Sequence, residues 1–201
     1  MRNSIFDYIG NLDTLIAVIV GACLATGGAL VAEIVQDRLR RKRKQREAAR
    51  FFGEVIVSIS QVFDLAVESQ KIGDPWGSFT INLFRVVVHE SEIYTRNRER
   101  LFEIPDMHLR FAIHGHLLRL TVPITSIVRE SDKIDALQTR LEEEDALSET
   151  LVASLQARIA QYHSFREGGV RAAIQQREVS DSLLAQLEKV AGVHFEAGYS
   201  A

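Results

Sequence analysis

The chain of 201 residues contains one cysteine, Cys23, and three prolines. A lone thiol closes no intrachain disulfide and builds no thiolate metal site, which excludes a disulfide scaffold and a zinc-finger type of domain. So few prolines leave long stretches with no forced helix break. The patterns HExxH, CxxC and DxDxDG are missing as well. Gly27-Gly28 lies in an apolar stretch, and Gly168-Gly169 lacks the Lys and Ser/Thr that a phosphate loop requires. The longest absence is one of charge: residues 14 to 32, TLIAVIVGACLATGGALVA, carry none across 19 positions.

At about 1.5 Å per residue, a helix of that length approaches the roughly 30 Å of a bilayer's hydrocarbon core. Ile34 and Val35 extend it past Glu33, whose carboxylate can reach the interface. A buried core helix of equal length should show a polar stripe, and this run shows none. The expectation is a transmembrane helix over 14–35. A cleaved signal peptide fits less well, because the N-terminal flank offers Arg2 against Asp7 and Asp13. A lipidated Cys23 fits less well too, because the apolar run continues for a dozen residues beyond it.

Directly behind comes RLRRKRKQREAAR, residues 38 to 50, in which eight of thirteen side chains are Lys or Arg. The net charge of −3 thus hides a division: residues 37 to 50 carry a net +6 and residues 51 to 201 a net −7. Basic residues beside a span resist translocation. The expected topology is therefore a short extracytoplasmic N-terminus (1–13), a single pass through the inner membrane, a basic juxtamembrane helix (36–50) and a cytoplasmic helical domain (51–192). Arg38, Arg40, Arg41, Lys42, Arg43, Lys44 and Arg46 are the expected contacts to anionic lipid headgroups. Nucleic acid is not an expected partner, since no aromatic residue interleaves the basic stretch and the following body is acidic. Gly21, Ala25 and Ala29 recur every fourth residue, a spacing that lets two spans approach closely and marks a candidate face for a homo-oligomer.

The body reads as all-α. FFGEVIVSISQVFDLAV, residues 51 to 67, is an amphipathic helix rather than a second span, because Glu54, Gln61 and Asp64 interrupt it. Gly73, Asp74, Pro75 and Gly77 predict a loop over 71–80, with Trp76 as a surface plug. Residues 80–90 fit a helix start or a short extended segment. Ser91 is a candidate cap for a helix through Phe102, ended by Pro105; Asp106 caps the next, which Pro123 should kink or break. From Ile134 a seven-residue register runs to Phe165 through Leu137, Leu141, Leu151, Leu155 and Tyr162, with Glu144, Ser148 and Arg158 interrupting it. That spacing predicts one long helix of partial coiled-coil character, a turn at Gly168-Gly169, and a last helix antiparallel to it. Leu151, Leu155, Leu183 and Leu187 are the expected hairpin core, and 193–201 a flexible tail.

Chemistry finds little support. His114 and His116 lie about 200° apart on a helix and cannot share a metal, and His108 is a poor third. His89-Glu90-Ser91-Glu92 offers a base beside a hydroxyl, but a triad is assembled in space, not along the chain. Glu142-Glu143-Glu144-Asp145 circles a helix and reads as a solvated face. No cofactor is expected and no enzyme. The run SEIYTRNRERLFEIPDMHLRFAIHGHLLRL, with Tyr94, Asn97, Leu101, Ile104 and Pro105 marking a short helix before a long one, resembles a class of uncharacterised bacterial single-pass membrane proteins with a helical cytoplasmic domain. The resemblance implies architecture and no activity. Two functional expectations follow: a membrane-anchored interaction or scaffold protein with an unknown protein partner, or an envelope- or lysis-related factor whose body lies outside the cytoplasm.

Overall fold

A computed structural model of the protein describes residues 5–143 and 148–195, with side chains from Ile16 onward. Among the described residues the structure is helical without a strand: α1 (Ile5–Ser69), α2 (Ser78–Arg96), a 3-10 helix (Arg98–Glu103), α3 (Met107–Glu143), α4 (Glu149–Glu178) and α5 (Ser180–Ala191). The chain divides into two compact units, Met1–Lys44 and Gln45–Ala201.

The first unit is the early part of α1. Its side chains from Ile16 to Lys44 are exposed, including Ile16, Val18, Ile19, Val20, Leu24, Leu30, Val31, Ile34 and Val35.

The second unit is a helical bundle. Its strip of α1 buries Phe52, Val55, Ile56, Ile59, Phe63 and Ala66, steps of three and four that keep one face inward. Fully burying one such side chain contributes about 1.5–3 kcal/mol. Phe52 meets Tyr94 edge-on at 6.1 Å, and Phe63 tilts against Phe84 at 6.3 Å, tying α1 to α2. The segment over 80–90 is thus helix throughout. Val86-Val87-Val88 follow the helical period, with Val87 buried and Val86 exposed. Ser91 does not start a helix; it lies inside α2 and its hydroxyl donates to the Val88 carbonyl at 2.6 Å. Asn97 and the 3-10 helix follow, and Asp106 caps α3 as expected, Oδ1 accepting from the backbone N–H of His108 at 2.8 Å and of Leu109 at 3.2 Å.

α3 runs unbroken through Pro123, contrary to a break there. It buries Leu109, Ile113, Leu117, Leu120, Ile124, Ile127 and Ile134 against α2 and α4. The single long helix expected over 134–165 is two. Ser148, a seam position in the heptad count, instead caps α4, accepting from Leu151 N–H at 3.4 Å. The hairpin is therefore made by α3 and α4, and Gly168-Gly169 lies inside α4 rather than at a turn. Glu142 and Glu143 are exposed; Glu144 and Asp145 lie outside the described residues. α5 follows α4 after one residue, Val179, whose backbone is itself helical (φ −76°, ψ −19°). Of the expected hairpin core, Leu155, Leu183 and Leu187 are buried and Leu151 is half-buried; Phe165, the last position of the heptad register, is exposed.

The chain after Gly192 is held at its start. Phe195 lays its ring over Gly53, so close that a Cβ there would meet Cζ at 2.1 Å, and its N–H donates to Glu188 at 2.8 Å. Residues 196–201 lie outside the described residues.

Candidate functional site

The first site is the apolar helix and its basic collar. By length and composition alone two helices could cross a membrane: α1 from Ile16 onward, whose apolar window has none of its residues buried, and α3, one third of whose window is buried. The difference between them is where the apolar atoms go. One third of the α3 window contributes to the bundle core, whereas the apolar side chains of α1 from Ile16 to Val35 are exposed. A Cβ built on Gly21 would meet nothing within 4 Å, so the small-residue face at Gly21, Ala25 and Ala29 is open. Arg38, Arg40, Arg41, Lys42, Arg43, Lys44 and Arg46 are all exposed. Ala48 and Ala49 are the first fully buried residues of the bundle.

Three polar sites sit in the bundle. In the first, Gln176 Nε2 donates to His116 Nδ1 at 2.7 Å. An amide NH2 can only donate, so the imidazole proton is on Nε2, which donates to Ser180 Oγ at 3.0 Å. Arg119 Nε donates to Gln176 Oε1 at 3.2 Å and fixes the amide's orientation. Burial, then the nearby Arg119 and Arg177 cations, pull the His116 pKa down to about 4. The neutral imidazole is a fastener between α3 and the α4–α5 junction. Beside it Arg177 holds Asp64 of α1 through Nη2 at 2.9 Å and Asp181 of α5 through Nη1 at 3.1 Å. Burial works against the Arg177 cation, but the two carboxylates outweigh it and raise its pKa.

The second site surrounds Arg166, which is buried. Its guanidinium lies 3.8 Å over the Trp76 ring and donates to Ser131 Oγ at 3.3 Å and to His163 Nδ1 at 2.8 Å, while Nε has no partner. Burial lowers its pKa, opposed by Asp135, Asp74 and Glu167. Trp76 therefore plugs the domain surface by stacking on a buried cation, held by an Asx turn in which its N–H donates to Asp74 at 2.9 Å. Nearby, the buried carboxylate of Glu130 accepts from Arg129 at 3.0 Å and from Lys133 at 3.1 Å.

The third site is a cleft of about 710 Å³ at the start of α3, lined by residues of α2, the 3-10 helix and α3. His114 Nδ1 is hydrogen-bonded to the Tyr94 hydroxyl at its wall. Burial raises the Tyr94 pKa, with Arg98 opposing.

The histidines singled out in the sequence do not converge. His89 is exposed beside Glu92 at 3.8 Å, Glu90 accepts from Ser58 at 2.9 Å, and His114 and His116 serve separate networks. Among the described residues no group of three His, Cys, Asp or Glu side chains could hold a metal ion. The His116–Gln176–Ser180 fastener and the Arg166–Trp76 stack escaped sequence reading, since nothing along the chain marks partners 60 or 90 residues apart. No protein-family model, curated protein or solved structure matches this chain, so the resemblance read on Tyr94, Asn97, Leu101, Ile104 and Pro105 rests on those residues alone.

Proposed function

We propose that the protein is a single-pass, membrane-anchored helical scaffold. Residues 14–35 cross the inner membrane, the collar at 38–46 lies against anionic headgroups, and the bundle is held on the cytoplasmic side to engage a protein partner. One observation carries this reading: an apolar helix none of whose side chains from Ile16 to Val35 is buried, followed at once by exposed Lys and Arg. Leaving that much apolar surface in water is unfavourable by about 25 cal/mol per Å², whereas lipid removes the penalty and the basic collar sets the direction of insertion. Among the described residues no acid, base and nucleophile converge with a substrate-accessible cleft, and the reading therefore assigns the bundle binding rather than turnover.

Reporter fusions at each terminus of the full chain, one active only in the cytoplasm and one only outside it, test the topology. Cytoplasmic signal from the C-terminal fusion and external signal from the N-terminal one are expected. The reverse pattern returns the alternative, an envelope factor with its body outside, and recovery of the full chain in the aqueous fraction without detergent removes the anchor altogether.

A further inference from the structure

The cleft at the start of α3 brings exposed aromatic and aliphatic side chains together with arginines. Phe102, Phe111 and Met107 stand on its rim, 80%, 66% and 52% exposed. Large apolar side chains gathered in this way are rare on a surface without a partner. Two guanidiniums lie among them. The neighbouring arginines are neutralised, Arg96 by Glu92 at 2.7 Å and Arg100 by Glu103 at 3.9 Å. Arg98 and Arg110 line the cleft and form no ion pair among the described residues; Arg110 lies 5.8 Å over the Phe102 ring. Glu99 is the one acid of the lining and pairs with neither. In a body of net −7, a lining with two arginines in no ion pair, one glutamate and three open apolar side chains is locally positive. The volume is that of a small-molecule site, which is mostly apolar with a few convergent polar groups.

We propose that this cleft binds an amphipathic organic anion, its phosphate or carboxylate between Arg98 and Arg110 and its apolar part against Phe102, Met107 and Phe111. Guanidinium forks suit either anion, bidentately. Hydrocarbon laid over the three rim residues removes their surface from water. The same chemistry is offered by an anionic lipid of the bilayer and by a free alkyl phosphate. The cleft lies wholly within the bundle, so the inference goes beyond the anchored-scaffold reading and needs it only to choose between those sources.

The test uses the full chain in nanodiscs of phosphatidylcholine with hexyl phosphate as probe, followed by the probe's proton line width against empty discs. Broadening beyond empty discs is expected, at least tenfold weaker in affinity for the Arg98→Gln/Arg110→Gln variant and absent for hexyltrimethylammonium. Equal binding by the double variant, equal response to the cation, or no broadening beyond empty discs overturns the proposal. Emission of Trp76, the only tryptophan, reports whether the variant is folded; should it not be, Met107→Glu, which sets a like charge at the exposed rim, decides by the same criterion. Discs containing phosphatidylglycerol separate the sources: suppressed broadening assigns the anion to the bilayer, and undiminished broadening assigns it to a free compound. A fluorophore on Cys23, quenched by spin-labelled lipid, reports the anchor independently, so failure of the cleft and failure of the span are read separately.

Discussion

Gly169 of α4 packs against the backbone of Pro123 in α3: a Cβ built on it would lie 3.2 Å from the Pro123 carbonyl oxygen and 2.9 Å from Ile127 Cγ1. The adjacent Gly168 has open space, with only the far end of Arg171 at 4.0 Å. Two glycines in one helix thus have different reasons. Each costs the helix about 1 kcal/mol relative to Ala, and only Gly169 returns it through close approach.

Gly168→Ala should therefore stabilise the bundle by about 0.5–1 kcal/mol, the helix-propensity gain. Gly169→Ala should destabilise it, because forcing a methyl against a buried Ile and a backbone carbonyl costs about 1–3 kcal/mol, more than the propensity gain. Thermal melts of the detergent-solubilised full chain, followed by Trp76 emission, check the opposite signs. A stabilised Gly169→Ala would mean that α3 and α4 are not in contact at this point.

His116 makes stability depend on pH. Its folded pKa is about 4 against an ordinary 6.5, so between those values the unfolded chain binds a proton that the folded chain refuses. Stability from this group is complete above pH 6.5 and is lost as pH falls toward 4, by about 3 kcal/mol in all. His116→Asn should lower the melting temperature at pH 7.5 and flatten its fall between pH 6.5 and 5. Parallel slopes for the two proteins would show that the imidazole is not buried neutral.

The pair of Arg177 and Asp64 ties α4 to α1 across 113 residues of chain. Asp64 is half-exposed, so the bond is screened and contributes modestly. Asp64→Asn should cost about 1 kcal/mol at low ionic strength and less in 1 M salt, where the Debye length is about 3 Å. A cost unchanged by salt would assign the loss to packing of the Arg177 stem instead.

Much of this architecture was legible from periodicity alone. The steps of three and four along Phe52, Ile56, Ile59 and Phe63, the cap at Asp106 and the loop around Gly73 and Pro75 are local signals with local outcomes. The hairpin was legible as a motif and misplaced in register. Ser148 falls at a heptad position, where its hydroxyl interrupts the apolar seam, and it also suits an N-cap; the free backbone N–H groups at the start of α4 decide for the cap. Gly168-Gly169 reads as a turn along the chain, and only the packing of α4 on α3 shows Gly169 set where Ile127 and the Pro123 carbonyl leave no room for a methyl. The cleft at Arg98 and Arg110 was invisible for a similar reason. Which arginines lack a carboxylate is a fact of neighbours in space, and Arg96, Arg98 and Arg100 look alike along the chain.

The collar makes the last prediction. If Lys and Arg behind the span hold the bundle in the cytoplasm, removing their charge should loosen the choice of orientation without preventing insertion, which depends on the apolar run. Arg40, Arg41, Lys42, Arg43 and Lys44 are all exposed and lie ahead of the first buried residues, Ala48 and Ala49, so replacing all five with Gln leaves the bundle core untouched. The juxtamembrane stretch then keeps Arg38, Arg46 and Arg50 against Asp37 and Glu47, a nearly neutral flank. The expected result is a mixed population in the terminal reporter assay, with part of the chain inverted, and the Trp76 melt unchanged. Unaltered topology would place the determinant outside these five residues, and loss of membrane association would mean that charge attraction, not the apolar helix, holds the protein at the bilayer.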